Sequence, residues 1–178
     1  MAETIDIIVG GQTRSMTVPD ALEMGKNRQD SGDLSGAAEI FQQIHNADPN
    51  QMDALHMLGV ISHRLGEHGL AADLIIAALA IKPDFADAHS NLGVVYFDQG
   101  RKEEALASYE RAISINPDYA GCHNNLGVLY QNLGRLQDAV TSFRTAIGLS
   151  PDFQDAYANL GAALSNSGDP EEGLRSIR

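Results

Sequence analysis

Apolar side chains recur along most of this chain at helical spacing, and short breaks interrupt them at regular intervals. Between residues 86 and 119, Ala88, Leu92, Val95 and Tyr96 stand at i, i+4, i+7 and i+8, which is one face of a helix. Ala105, Leu106, Tyr109, Ala112 and Ile113 form a second such face. Gly100 stands where the first helix should stop, because glycine takes the left-handed conformation after a helix C-terminus at little cost. Pro117 stops the second helix, since the residue before a proline avoids the helical region. Asp118 is then the expected N-cap of the next helix. The first seventeen residues follow another rhythm: Ile5, Ile7 and Val9 alternate with Asp6 and Ile8, and Met16 and Val18 follow Gly10 and Gly11. That pattern predicts two short strands about a glycine turn. A lone hairpin is marginal in water. Residues 1–17 are therefore an N-terminal arm with three open outcomes: unordered, docked on its own helices, or paired with another chain.

The breaks keep a strict period. Gly25, Gly59, Gly93, Gly127 and Gly161 are 34 residues apart, and so are Gly32, Gly66, Gly100, Gly134 and Gly168. Pro49, Pro83, Pro117 and Pro151 share the step, as do Ala37, Ala71, Ala105 and Ala139, with Gly173 fifth in that series. A fixed period of this length marks a repeat architecture. Gly93 and Ala105 are small where two antiparallel helices must approach closely. Each helix pair leaves an apolar face that only the next pair can cover.

A 34-residue period with these residues resembles the tetratricopeptide repeat, whose pattern has a small residue eighth, Ala twentieth, an aromatic twenty-fourth, Ala twenty-seventh and Pro thirty-second. The matching repeats are 18–51, 52–85, 86–119, 120–153 and an incomplete 154–178. Phe41, Ile75, Tyr109, Phe143 and Ile177 hold the twenty-fourth place, and Ile44, Ala78, Ala112 and Ala146 the twenty-seventh. The fourth place, often Trp in the family, holds Ala21, Leu55, His89, His123 and Tyr157. The resemblance implies an all-α fold: an α-solenoid, a right-handed superhelix of stacked antiparallel helix pairs that offers a concave groove to protein ligands. The chain stops at Arg178, soon after Asp169 and Pro170, which look like an N-cap and a first helical turn. A polar capping helix is expected at the end of such an array. The expectation is therefore a longer protein, or an uncapped end buried in an end-to-end dimer.

Charge narrows the partners. Twelve Lys and Arg stand against 24 Asp and Glu, a formal charge of −12. That balance disfavours nucleic acid, where binding is dominated by phosphate neutralisation, and an anionic membrane surface. The longest wholly apolar run, Leu74 to Ile81, is far too short to span a bilayer. Cys122 is the only cysteine, which points to a reducing, cytoplasmic setting, and no secretory signal is visible.

The candidate ligand contacts are carboxamides. Asn91, Asn125 and Asn159 take the sixth place of repeats three to five, with Asn124 beside Asn125. A carboxamide offers a donor and an acceptor together and so can pair with any peptide unit. Neighbouring helices lie about 8–10 Å apart and an extended chain rises about 3.3 Å per residue. The asparagines thus match about every third residue of an extended polypeptide. Bracing of neighbouring helices and simple exposure are the alternatives. Asn-Leu-Gly in three successive repeats resembles the repeat region of O-linked N-acetylglucosamine transferases and related bacterial proteins, where an asparagine ladder holds substrate polypeptide. Glu23 and Met57 interrupt the match in the first two repeats. The basic residues of a chaperone-type carboxylate clamp are missing from the corresponding inner positions, which hold Asp53, Asp87 and Asp155 at the second place and His56, Ser90, Asn124 and Ala158 at the fifth. Those aspartates fall in first helical turns, where the helix dipole favours negative charge; a basic-peptide site is the competing role.

No catalytic constellation, metal site or cofactor is expected. The histidine pairs His56/His63 and His89/His123 lack the further ligands a metal needs. Cys122 and His123 are sequence neighbours on a helix and point apart. Neither Asn91-Leu92-Gly93 nor Gly10-Gly11 is a phosphate loop. The function expected is a protein-interaction scaffold. The alternatives are a substrate-presenting module of a larger enzyme (a glycosyltransferase, sulfotransferase or methyltransferase) and a self-assembling array joined through the arm or the uncapped end.

Overall fold

The computed structural model describes residues 4–167. A hairpin of β1 (Thr4–Val9) and β2 (Gln12–Thr17) precedes the helices α1 (Val18–Asp30), α2 (Leu34–Ala47), α3 (Met52–Arg64), α4 (His68–Ile81), α5 (Ala86–Asp98), α6 (Lys102–Ile115), α7 (Ala120–Asn132), α8 (Leu136–Leu149) and α9 (Gln154–Ser167). The chain forms two compact units, one ending at Asp84 and one beginning at Phe85. Each is a stack of antiparallel helix pairs, the α-solenoid class expected from the sequence.

Three local causes set the pairs. Gly100, at φ +75°, turns the chain after α5, and Arg101 N–H closes the turn on Tyr96 O at 2.8 Å. The second cause is a glycine facing a bulky side chain inside each pair. A Cβ on Gly93 would lie 2.6 Å from the Tyr109 ring, and Gly25 and Gly127 face Phe41 and Phe143 in the same way. The third is a buried alanine row, Ala37, Ala71, Ala105 and Ala139, at 0% exposure. Pro117 follows the C-cap residue Asn116 as expected, but the N-cap of α7 is Tyr119, without a side-chain cap bond. Asp118 stands one residue too early for that role, since the helix opens at Ala120, and its backbone N–H donates to Asn116 Oδ1 at 3.3 Å. The helix start expected at Asp169 and Pro170 lies outside the described residues.

In the first unit the arm docks on its own helices. Val9 and Gln12 flank the two-residue turn, where Gly10 and Gly11 both have positive φ, the geometry of a type I′ turn that suits strand twist. Ile7 is fully buried in one core with Leu22, Ile40, Phe41 and Ile44. The outward backbone edge of β1 is closed by a side chain: Ile8 N–H donates to Gln43 Oε1 at 2.6 Å, and Gln43 Nε2 donates back to Ile8 O at 3.1 Å. Of the three outcomes for the arm, docking on its own array is the one the structure shows. Thr17 then passes directly into α1 as its N-cap, accepting from Asp20 N–H.

A charge at the sixteenth place of a repeat is neutralised within most pairs. Arg101 pairs with Glu104 at 3.0 Å and lays its guanidinium over the Tyr96 ring at 4.1 Å; the Arg101 hydrogen bond holds the Glu104 carboxyl below its usual range. Arg135 repeats the brace with Asp138 at 2.6 Å and Tyr130 at 4.3 Å. In the first pair the charges are exchanged, and Asp33 takes Arg28 at 2.7 Å.

Candidate polypeptide-binding face

In the second unit the first helices of successive pairs touch, α5 against α7 and α7 against α9. Asn91, Asn125 and Asn159 stand on these three helices, each half-buried. Asn159 Nδ2 donates to Asn124 Oδ1 at 3.0 Å, tying α9 to α7. Asn124 itself is 8% exposed. It therefore orients Asn159, and little of its own surface is open to a ligand. The Asn125 carboxamide makes no hydrogen bond to any described residue. Its donor and acceptor are therefore open to a partner from outside.

A second network joins α5 to the start of α7. The Tyr119 hydroxyl donates to Asp87 and also meets Ser90, and burial with the nearby Asp87 charge pushes the phenol up to about 12. Asp87 lies in the first turn of α5, as Asp53 and Asp155 do in α3 and α9. Its role as an acceptor for Tyr119 adds a bracing function that residue spacing did not reveal.

Cys122 is fully buried, with its thiol 3.6 Å from Tyr109 O. Burial pushes that thiol up to about 11, so it stays protonated and unreactive near neutrality. His123 turns its Nε2 to Pro117 O at 2.8 Å, away from any partnership with Cys122. In the first unit His56 is buried, and the His63 ring packs against His68 at 5.2 Å. No described helix is long and apolar enough to cross a membrane.

Comparison with known proteins agrees with this construction. Family models described as "Tetratricopeptide repeat" match residues 22–84 and 120–153, and one described as "TPR repeat" matches 76–100 and 93–134. A crystal structure of MamA is similar at 27% identity and a TM-score of 0.75, over 86% of this chain and 90% of that one. MamA from Desulfovibrio magneticus RS-1 is 18% identical at a TM-score of 0.76, over 89% of this chain and 90% of its own. YrrB, described as a TPR protein with an unusual peptide-binding site, is 20% identical at a TM-score of 0.67, over 89% of this chain and 81% of its own. The two lower identities speak to fold alone. No curated protein matches the chain. The resemblance to glycosyltransferase repeats is not shown by these comparisons.

Proposed function

Because the chain belongs to the tetratricopeptide-repeat family, we propose that it is a non-catalytic scaffold binding an extended polypeptide along α5, α7 and α9. Asn125 carries this reading. Its half-buried carboxamide has no partner among the described residues and lies between the positions of Asn91 and Asn159. The ligand's backbone amides complete it, one N–H donating to Oδ1 and one C=O accepting from Nδ2. Asn159, oriented by Asn124, keeps its Oδ1 and one N–H for the same purpose. Contacts to backbone rather than side chains make the face tolerant of ligand sequence. YrrB, a TPR protein with a peptide-binding site, is a precedent for this use of the fold. The buried, protonated Cys122 and the separated His123 offer no nucleophile, which supports a binding role over a catalytic one. The single cysteine fits a reducing, cytoplasmic setting.

The test is a selection of random dodecapeptides displayed on phage against the whole chain, followed by titration of the enriched peptides with Asn91→Ala/Asn125→Ala. Loss of three neutral hydrogen bonds, two at Asn125 and one at Asn91, at about 0.5–1.5 kcal/mol each, predicts roughly 10- to 2,000-fold weaker binding. Enriched peptides that bind the double variant with unchanged affinity would reject the proposal.

A further inference from the structure

The second repeat lacks the arginine–tyrosine–carboxylate brace that repeats three and four have. Its sixteenth place is Glu67, where repeats three and four have Arg101 and Arg135. Its nineteenth place is Leu70, in place of Glu104 and Asp138, and its eleventh is Ser62, in place of Tyr96 and Tyr130. All three members of the arginine–tyrosine–carboxylate brace are replaced together. Beside these positions lies a groove of about 610 Å³ between the hairpin, α2, α3 and the start of α4. Its wall carries Ile8, Leu65 and Leu70, which are 56%, 52% and 50% exposed. The buried Leu58 and Ile61 and the exposed Glu39 and Glu67 also line it.

The charge pattern says what the groove takes. Asp33, Arg101 and Arg135 each find an opposite charge in their own pair. Glu67 is the sixteenth-place charge with no ion pair among the described residues, and it makes no side-chain cap bond to α4. Glu39 likewise has no ion pair among them. Two carboxylates without an ion pair among the described residues therefore line an apolar slot, and one of them, Glu67, holds the sequence place of the guanidinium in repeats three and four. Exposed leucines clustered at one place are the usual sign of an interaction site, and an acidic margin selects a cation.

The geometry points to a second docking site, separate from the asparagine face. Its occupant is a partner polypeptide segment that places an arginine against Glu67 and Glu39 and its flanking leucine or isoleucine side chains on Leu65 and Leu70. The incoming arginine supplies, from outside, the cation that the sixteenth place of this repeat lacks. Unlike the asparagine face, this site reads side chains, so it confers sequence selectivity.

Fluorescence anisotropy with a labelled heptapeptide, Ala-Leu-Arg-Leu-Leu-Arg-Ala, tests this on the whole chain. Two control peptides replace the arginines by glutamates or the leucines by serines. The decisive variant is Ser62→Tyr/Glu67→Arg/Leu70→Glu, which installs the brace of repeats three and four; circular dichroism confirms its fold. Saturable binding of the arginine peptide is expected. Both control peptides and the brace variant should bind at least about tenfold more weakly. Glu67→Gln, which leaves packing untouched, should weaken binding about two- to fivefold and flatten its salt dependence. Asn125→Ala should keep the parent's preference for the arginine peptide over the glutamate peptide, which separates the site from the sequence-tolerant one proposed above. If the brace variant does not fold, Leu70→Ser replaces it with the same expected loss. Absence of saturable binding, equal binding of the glutamate peptide, or equal binding by the brace variant would each overturn the assignment. A parent chain that sediments as a dimer, and a brace variant that sediments as a monomer, would give the groove to a second copy and overturn it too.

Discussion

Replacing Gly93 by alanine puts one methyl group into the tightest contact between α5 and α6. The new Cβ would lie 2.6 Å from Tyr109 Cε1 and 2.7 Å from Cδ1. Carbons pack at about 3.5–4.0 Å, so the ring must withdraw by about 1 Å. Tyr109 is 2% exposed and enclosed with Ala112, Cys122 and Leu126, which leaves it nowhere to go without displacing its neighbours. Such overpacking costs about 1–3 kcal/mol. The better helix propensity of alanine offsets up to about 1 kcal/mol. Gly148→Ala isolates that offset, because a Cβ there meets nothing within 4 Å. The two identical substitutions should differ by about 1–3 kcal/mol, or about 2–12 °C in Tm for a chain of this size. Thermal and urea unfolding followed by far-UV circular dichroism measures both. Equal stability of the two variants would refute the glycine–ring contact as the constraint that sets the α5–α6 pair. Gly93→Leu, which adds more atoms at the same point, should be worse still.

Other consequences can be checked by similar means. Ile7→Ala removes a fully buried side chain from the core of the first unit and should cost about 2–5 kcal/mol; hydrogen exchange should show protection lost in β1 and α2 while α7 and α8 keep theirs. Asn159→Ala leaves Asn124 buried without its donor and should destabilise the α7–α9 contact by about 1–3 kcal/mol, read as a lower urea midpoint, whereas Asn125→Ala should be neutral. Alkali should weaken the fold. Below pH 9 the Cys122 thiol is protonated in both folded and unfolded chains, but between pH 9 and about 11 only the unfolded chain ionises. Stability should therefore fall across that window by up to roughly 3 kcal/mol, and Tyr119, pushed up to about 12, extends the loss upward. Cys122→Ala should remove the lower part of that pH dependence. A thiol reagent at neutral pH should label Cys122 only after unfolding.

The period was legible because its residues each do one backbone or packing job that few other residues can do. Gly100 adopts positive φ, Gly93 admits the Tyr109 ring, and Ala105 lets two helices close. The hairpin was legible from alternation and from Gly10-Gly11, but its docking was not. That depends on Ile7 entering a core built from α1 and α2, and on Gln43 reaching back 35 residues to Ile8. Asp118 misled because N-cap chemistry is a local preference, and the helix after Pro117 opens at Ala120, one residue too late for it. Asn124 and Asn125 could not be told apart in sequence. They are neighbours, yet the helix turns one toward α9 and leaves the other half-buried without a partner among the described residues. The groove of the second repeat was spelled out at Ser62, Glu67 and Leu70, but only the contacts among Tyr96, Arg101 and Glu104 show that these three places work together.

The central claim, that polypeptide lies along α5, α7 and α9, is tested most directly by nuclear magnetic resonance of the asparagine side-chain amides. A peptide enriched by selection is titrated into labelled protein, and the Nδ2 resonances are followed. The account predicts that Asn125 moves most, that Asn91 and Asn159 move with it, and that all three exchange with solvent more slowly at saturation. A bound peptide that leaves these three amides unshifted would contradict it.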